Sequence, residues 1–400
     1  MLEILSNLFK ELHINSVPFC NWKGHSMSDE HLMGIGDLDL FVPISKKNEF
    51  NMIVRNHEYK KVYSFQANHE FVDHYLGLDK KTQKFSHLHV YFKIVTGEHA
   101  SKNYILPLEN IILKNLDNSR VLPSPDTKLK NVIYMIRFYL KFSSIYGLLQ
   151  YYREKKKHED EWAYLEKISN YDDIKELGLS SEFLEKLQKV FMHSSIITKI
   201  FYSIKLKFYF KNFRRRSFFR HFLYSYQNLL LRILNKYLLH RKKLFNTGVV
   251  ISVCGLDGSG KSSIIKALGD KFSKNFTIKT LHLGRPSSNI LTFIPNLFIR
   301  VYGFFKMLNS SRNPIFKKTS RNNNISIIFA IRSVLLAYDR KVETKKALKF
   351  SKKGFIVLCD RYPGIEIGKM DSPRILEDKG RGYLYNLCYK IEQKIYHSIV

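Results

Sequence analysis

Residues Val249–Phe272 read VVISVCGLDGSGKSSIIKALGDKF: a short β-branched apolar run, a turn with three glycines, and a segment with helical apolar spacing. Gly255, Gly260, Lys261 and Ser262 fit the spacing GxxxxGK(S/T), and strand before and helix after are the context that pattern needs. Small residues belong there because the backbone must wrap closely around a phosphate, and Gly255, Gly258 and Gly260 carry no Cβ to obstruct it. Amide groups of Gly255, Asp257, Gly258, Ser259, Gly260, Lys261, Ser262 and Ser263 are placed to face the phosphates of ATP. Lys261 can reach the β- and γ-phosphates, Ser262 can ligate Mg2+, and the helix start adds partial positive charge.

The runs TIKTLHL and FIVLC follow with helical stretches between them, which predicts an α/β fold with a parallel sheet from about residue 246 to 400. FIVLCDRYP places Asp360, Arg361 and Tyr362 at a buried strand's end, HLGRP places Arg285 after the second strand, and VLLAYDRK carries Arg340. With GLDGSGKSS, these pieces resemble the thymidylate kinase branch of the nucleoside monophosphate kinases, over about 150 residues. The resemblance implies that Asp360 supports magnesium or its water and that Arg361 orients phosphates. It implies that Arg285 and Arg340 hold the acceptor's phosphate, and that Asp257 contacts its sugar. Lys261, Arg361, Asp360 and Arg340 are then the catalytic candidates, since arginine binds two phosphate oxygens at once and offsets charge during in-line transfer.

Two features depart from that family. Its base-stacking aromatic is replaced near Leu336, and Pro286–Asn324 is unusually long, basic and aromatic, with the loop-like NSSRNP and SRNNN. A helical hairpin, a lid or a membrane-facing insertion are the readings for that segment. The sequence reaches YKIEQKIYHSIV where such a kinase would add another strand and its lid, so a longer natural polypeptide is expected.

Upstream, residues 1 to 128 mix a first helix with strand-like runs. FCNWKGHSMSDEHLMGIGDLDLFVP resembles the nucleotidyltransferase fold, in which a glycine turn precedes a strand presenting two carboxylates. Lys23, Gly24, Asp37 and Asp39 are the matching residues. His25 stands where that family has serine, and HLHVYFKI offers His87 and His89 where its third carboxylate is sought. Strand alternation puts Asp37 and Asp39 on one face, where they can share a divalent cation.

Residues 129 to 245 are helical in pattern, as in NVIYMIRFYLKF and SEFLEKLQKVF. No acid occurs between Glu185 and Asp257, while KLKFYFKNFRRRSFFRHFLYSYQ interleaves bases with aromatics. Lys and Arg total 66 against 35 Asp and Glu, a net charge of +31, which draws phosphates, anionic membranes or nucleic acid. The four cysteines lack CxxC spacing, so neither a zinc site nor a disulfide framework is expected. The first helix lacks the basic start of a secretion signal, and no long charge-free apolar run appears. A cytoplasmic protein, free of export signals and able to sit at the inner face of the membrane, is the expectation.

Three functional readings stand on this sequence. The first is an ATP- and Mg2+-dependent phosphotransferase acting on a nucleoside monophosphate or another small phosphorylated acceptor. The second is a nucleotidyltransferase using Asp37 and Asp39, with the glycine loop as nucleotide sensor. The third is a non-catalytic ATP-binding switch on a basic docking protein.

Overall fold

The computed structural model describes residues 1–63, 69–98, 101–118, 120–165, 171–238, 242–311, 327–367, 370–378 and 380–399. The chain divides into two compact units, Met1–His240 and Arg241–Val400.

In the first unit, strands Cys20–Asn21, Asp37–Phe41, Phe85–Tyr91, Val72–Leu78 and Lys60–Tyr63 lie side by side in that order. Asp37–Phe41 runs parallel to Phe85–Tyr91, pairing Asp37 with His87 and Asp39 with His89. The hairpin Val72–Tyr91 turns at Asp79, whose carboxylate accepts from the Thr82 amide and hydroxyl and from the Ile4 amide. Alternation decides the faces. Leu38, Leu40, Leu88 and Val90 point to one side and pack with Leu5, Leu8, Phe9, Phe50 and Ile53 of helices Glu3–Ile14 and Lys47–Asn56.

Asp37, Asp39, His87, His89 and Tyr91 are left to the other face. Helix Thr127–Phe142, N-capped by the Asp126 carboxylate on the Leu129 amide, covers that side. Its Met135, Phe138, Tyr139 and Phe142 share one core with Trp22, Phe41 and Tyr91, and with Leu184, Leu187, Leu206 and Phe210 from later helices. The helices expected as a separate middle region are therefore joined to the amino-terminal sheet by a common core, with no break near residue 128.

In the second unit, strands Ile278–His282, Ile356–Asp360 and Val249–Val253 form a parallel sheet in that spatial order. The third strand in sequence lies between the first two, which puts a crevice beyond the strands' carboxyl ends. Leu283, Ala347, Phe355, Val357 and Cys359 are buried in its core, with Tyr362 packed against them. Helices Lys261–Ser273, Ile290–Ser311, Ile327–Lys352 and Tyr383–His397 complete the unit. The expected α/β class with a parallel sheet holds. Pro286–Ser311 forms a loop and one helix, while SRNNN lies outside the described residues. Among the described residues no helix is long and apolar enough to cross a membrane.

Candidate functional site

Strand Val249–Val253 delivers the chain into the loop Cys254–Gly260, and helix Lys261–Ser273 begins directly after it. Gly258 and Gly260 sit at φ of 85° and 81°, the left-handed region in which a side chain is strained. That is why this loop takes glycine at both positions. Lys261 is buried, its ammonium donates to the Leu256 carbonyl, and it lies 3.9 Å from the Asp257 carboxylate. Ser259 and Ser263 are exposed beside it.

Parallel register brings Val253 and His282 level with Asp360. His282 Nδ1 lies 3.1 Å from Asp360 Oδ2, whereas Asp360 Oδ1 is buried without a hydrogen-bond partner among the described residues. Ser262 and Asp360 line one cavity of about 500 Å³. Arg361 adopts φ 69°, its amide donates to the Val253 carbonyl, and its guanidinium pairs with Asp257 of the glycine loop. Gly284 is required nearby, because a Cβ there would collide with the Arg361 side chain. The expected group Asp257, Lys261, Ser262, Asp360 and Arg361 is thus assembled beyond the carboxyl ends of the strands.

Arg340 does not open toward a ligand as expected. It is fully buried, and its guanidinium donates to the Gly284 carbonyl, the Tyr396 hydroxyl and, at 2.6 Å, the Asp371 carboxylate. Asp371 also accepts from Arg361 at 3.2 Å. A guanidinium surrounded by acceptors acts as a strut, since moving it would leave buried polar groups unpaired. Arg285 instead shares a cavity of about 620 Å³ with Arg332 and Arg374, two arginines that sequence reasoning missed. Arg332 was legible as lying two helical turns before Arg340 on the same helix face; Arg374, in an irregular segment, had no such signal.

On the first unit's sheet the two carboxylates do not converge on each other. Asp39 forms an ion pair with Lys23 at 2.8 Å and lies 3.0 Å from His89 Nδ1, while Asp37 pairs with His87, whose Nε2 is 3.3 Å from His74 Nδ1. Burial pushes the Asp39 carboxyl up, yet Lys23 and His89 outweigh it and hold it well below the usual carboxylate range. Burial drives His89 down to about 3, with Lys102 reinforcing the shift. Among the described residues no three His, Cys, Asp or Glu side chains group as a metal site. The cation expected on Asp37 and Asp39 has histidines and a lysine as competitors.

A parallel sheet whose first strand feeds a GxxxxGK(S/T) loop and helix defines the second unit as a P-loop-type α/β unit. No protein-family profile matches this chain, and no solved structure does. The chain is similar to the uncharacterized ATP-binding protein YghS of Escherichia coli (strain K12), at 29% identity over 150 residues. That alignment takes in 37% of this chain and 62% of YghS.

Proposed function

We propose that this protein is an ATP-dependent phosphotransferase of the thymidylate-kinase-like class, passing the γ-phosphoryl group of ATP to a small phosphorylated acceptor. The observation that carries the reading is the Arg361–Asp257 pair, which ties the end of the central strand to the glycine loop beside Lys261. ATP-binding in the name of the similar E. coli protein supports the nucleotide half of the proposal.

In this reading the loop amides and Lys261 hold the β- and γ-phosphates. The buried, unpartnered Asp360 Oδ1 and the Ser262 hydroxyl, which share a cavity, suit Mg2+ with its waters. Bound there, the ion would offset charge on the transferring phosphoryl group. Arg285, Arg332 and Arg374 supply the acceptor's phosphate with guanidinium donors, while Arg340 and Asp371 keep Arg361 in place. Leu336 lines the same cavity, so an acceptor ring there meets an aliphatic wall rather than a stacking aromatic at that position.

The test is ATP turnover by the full-length protein over a panel of nucleoside monophosphates and sugar phosphates, beside Lys261→Ala and Asp37→Asn variants. Loss with Lys261→Ala alone supports phosphotransfer by the second unit. Loss with Asp37→Asn alone moves the chemistry to the first unit, and tight ATP binding without turnover favours a switch.

A membrane-docking role for the acid-free basic region rests on a separate observation. Ile197, Phe201, Ile204 and Phe208 are exposed along one stripe of helix Ile196–Tyr209. Phe219, Phe222, Leu223, Tyr226, Leu230 and Ile233 do the same on helix Phe218–Leu238. Continuous apolar stripes of mixed aliphatic and aromatic side chains beside bases suit an anionic lipid surface.

A further inference from the structure

The face of the first unit's sheet opposite helix Glu3–Ile14 meets helix Thr127–Phe142 around a cavity of about 520 Å³. Lys23, Arg137, Lys141 and Lys157 line it together with Asp37, Asp39, Glu154 and Glu161. The carboxylates are already engaged. Glu161 accepts from the His25 and Ser26 amides, Glu154 pairs with Arg153 at 3.2 Å, Asp37 pairs with His87, and Asp39 with Lys23.

The cations are not so provided for. Among the described residues Arg137 and Lys141 form no ion pair; Arg137 lies over the Trp22 ring at 5.4 Å. Behind them the Lys23 and Lys102 ammonium groups both donate to the Tyr91 hydroxyl, at 2.8 and 2.7 Å; Lys23 also pairs with Asp39, whereas among the described residues Lys102 forms no ion pair. Bringing cations together away from water is costly unless an anion joins them. Desolvation accordingly draws Lys102 and Lys141 well below the ordinary lysine range, with neighbouring cations adding to it. Tyr134, Phe138, Phe142 and Tyr151 also line the cavity, giving ring surface against which a planar or sugar ring packs.

We infer that this cavity is a second anion site, in which the phosphate of a phosphorylated small molecule binds directly to Arg137 and Lys141 without a divalent cation between them. Lys23 and Lys102 lend charge from behind, and Lys157 stands exposed at the mouth. Two charged donors one turn apart on the same helix suit a phosphate ester or diphosphate, whose several oxygens reach both, better than a carboxylate. This site is independent of the phosphotransfer reading of the second unit.

Both tryptophans of the chain, Trp22 and Trp162, lie in the first unit, so their fluorescence reports this cavity and not the glycine loop. Full-length Lys261→Ala protein is titrated in EDTA with inorganic pyrophosphate, a nucleoside diphosphate and a hexose 1-phosphate, with calorimetry in parallel. A saturable response without metal is expected, and the three ligands' relative affinities separate bare phosphate from nucleotide and sugar sources. Arg137→Gln and Lys141→Gln should each weaken binding by about tenfold or more, and Lys141→Arg should retain it. Lys157→Gln, exposed and harmless to the core, should weaken it a few-fold even where a buried variant fails to fold. Absence of saturable binding, unchanged affinity in all the glutamine variants, or binding that needs Mg2+ and disappears with Asp39→Asn would each overturn the inference.

Discussion

Arg340 and Asp371 form a buried ion pair 2.6 Å long, and the same carboxylate reaches Arg361 through its other oxygen at 3.2 Å. One aspartate therefore couples a helix-borne strut to the residue that closes on the glycine loop. Removing one member of a buried pair leaves the other charged and unpaired, at a cost of about 3–5 kcal/mol. Arg340→Ala should lower the second unit's stability on that scale, read by hydrogen exchange of strand Ile356–Asp360 in the full chain. Asp371→Asn should do likewise and also raise the KM for ATP, because Arg361 loses its tether; protection unchanged in both variants would refute the strut.

Lys261→Ala should reduce ATP turnover on the order of a hundredfold or more while leaving tryptophan-detected unfolding unchanged, since the lysine's partner is a loop carbonyl in the tryptophan-free unit. Steady-state kinetics and a urea titration check the two halves.

Arg285→Met, Arg332→Met and Arg374→Met should each raise the acceptor's KM about tenfold with little change in the KM for ATP, as all three line one cavity. A variant that alters only the KM for ATP would remove that arginine from the acceptor site.

Burial holds His25 down to about 3 and His158 down to about 4, with nearby lysines and Arg137 adding to the effect. The unfolded chain takes up these protons near 6.5 and the folded chain only near 3 to 4, so acidification favours unfolding across that window. Tryptophan-detected stability should fall from pH 6.5 toward pH 4 by about 1 kcal/mol per pH unit for each histidine, and His25→Gln should flatten the slope.

Phe201→Asp with Ile204→Asp should abolish co-sedimentation with anionic vesicles and leave the fold intact, since both side chains are exposed. Binding that persists in the double variant, or that ignores lipid charge, would exclude this surface as the membrane contact.

The linear sequence determined whatever depends on neighbours along the chain. The glycine loop was legible because its three parts, strand, turn and helix, are contiguous from Val249 to Ser273 and each has a local physical requirement. Asp360 and Arg361 were legible for the same reason, as the polar end of an apolar strand. The alternation that places Asp37 and Asp39 on one face was likewise local.

Tertiary structure alone decided which cations stay available. Arg340 and Arg332 lie on one helix, yet packing against Gly284, Tyr396 and Asp371 buries the first, and the second remains on a cavity wall. Sheet register, not spacing, set histidines opposite both carboxylates of the first unit. Convergence of Lys23, Lys102, Arg137 and Lys141 joins residues more than a hundred positions apart, and no periodicity records such a meeting. Charge and period are properties of a segment; a partner for a charge is a property of the packed chain.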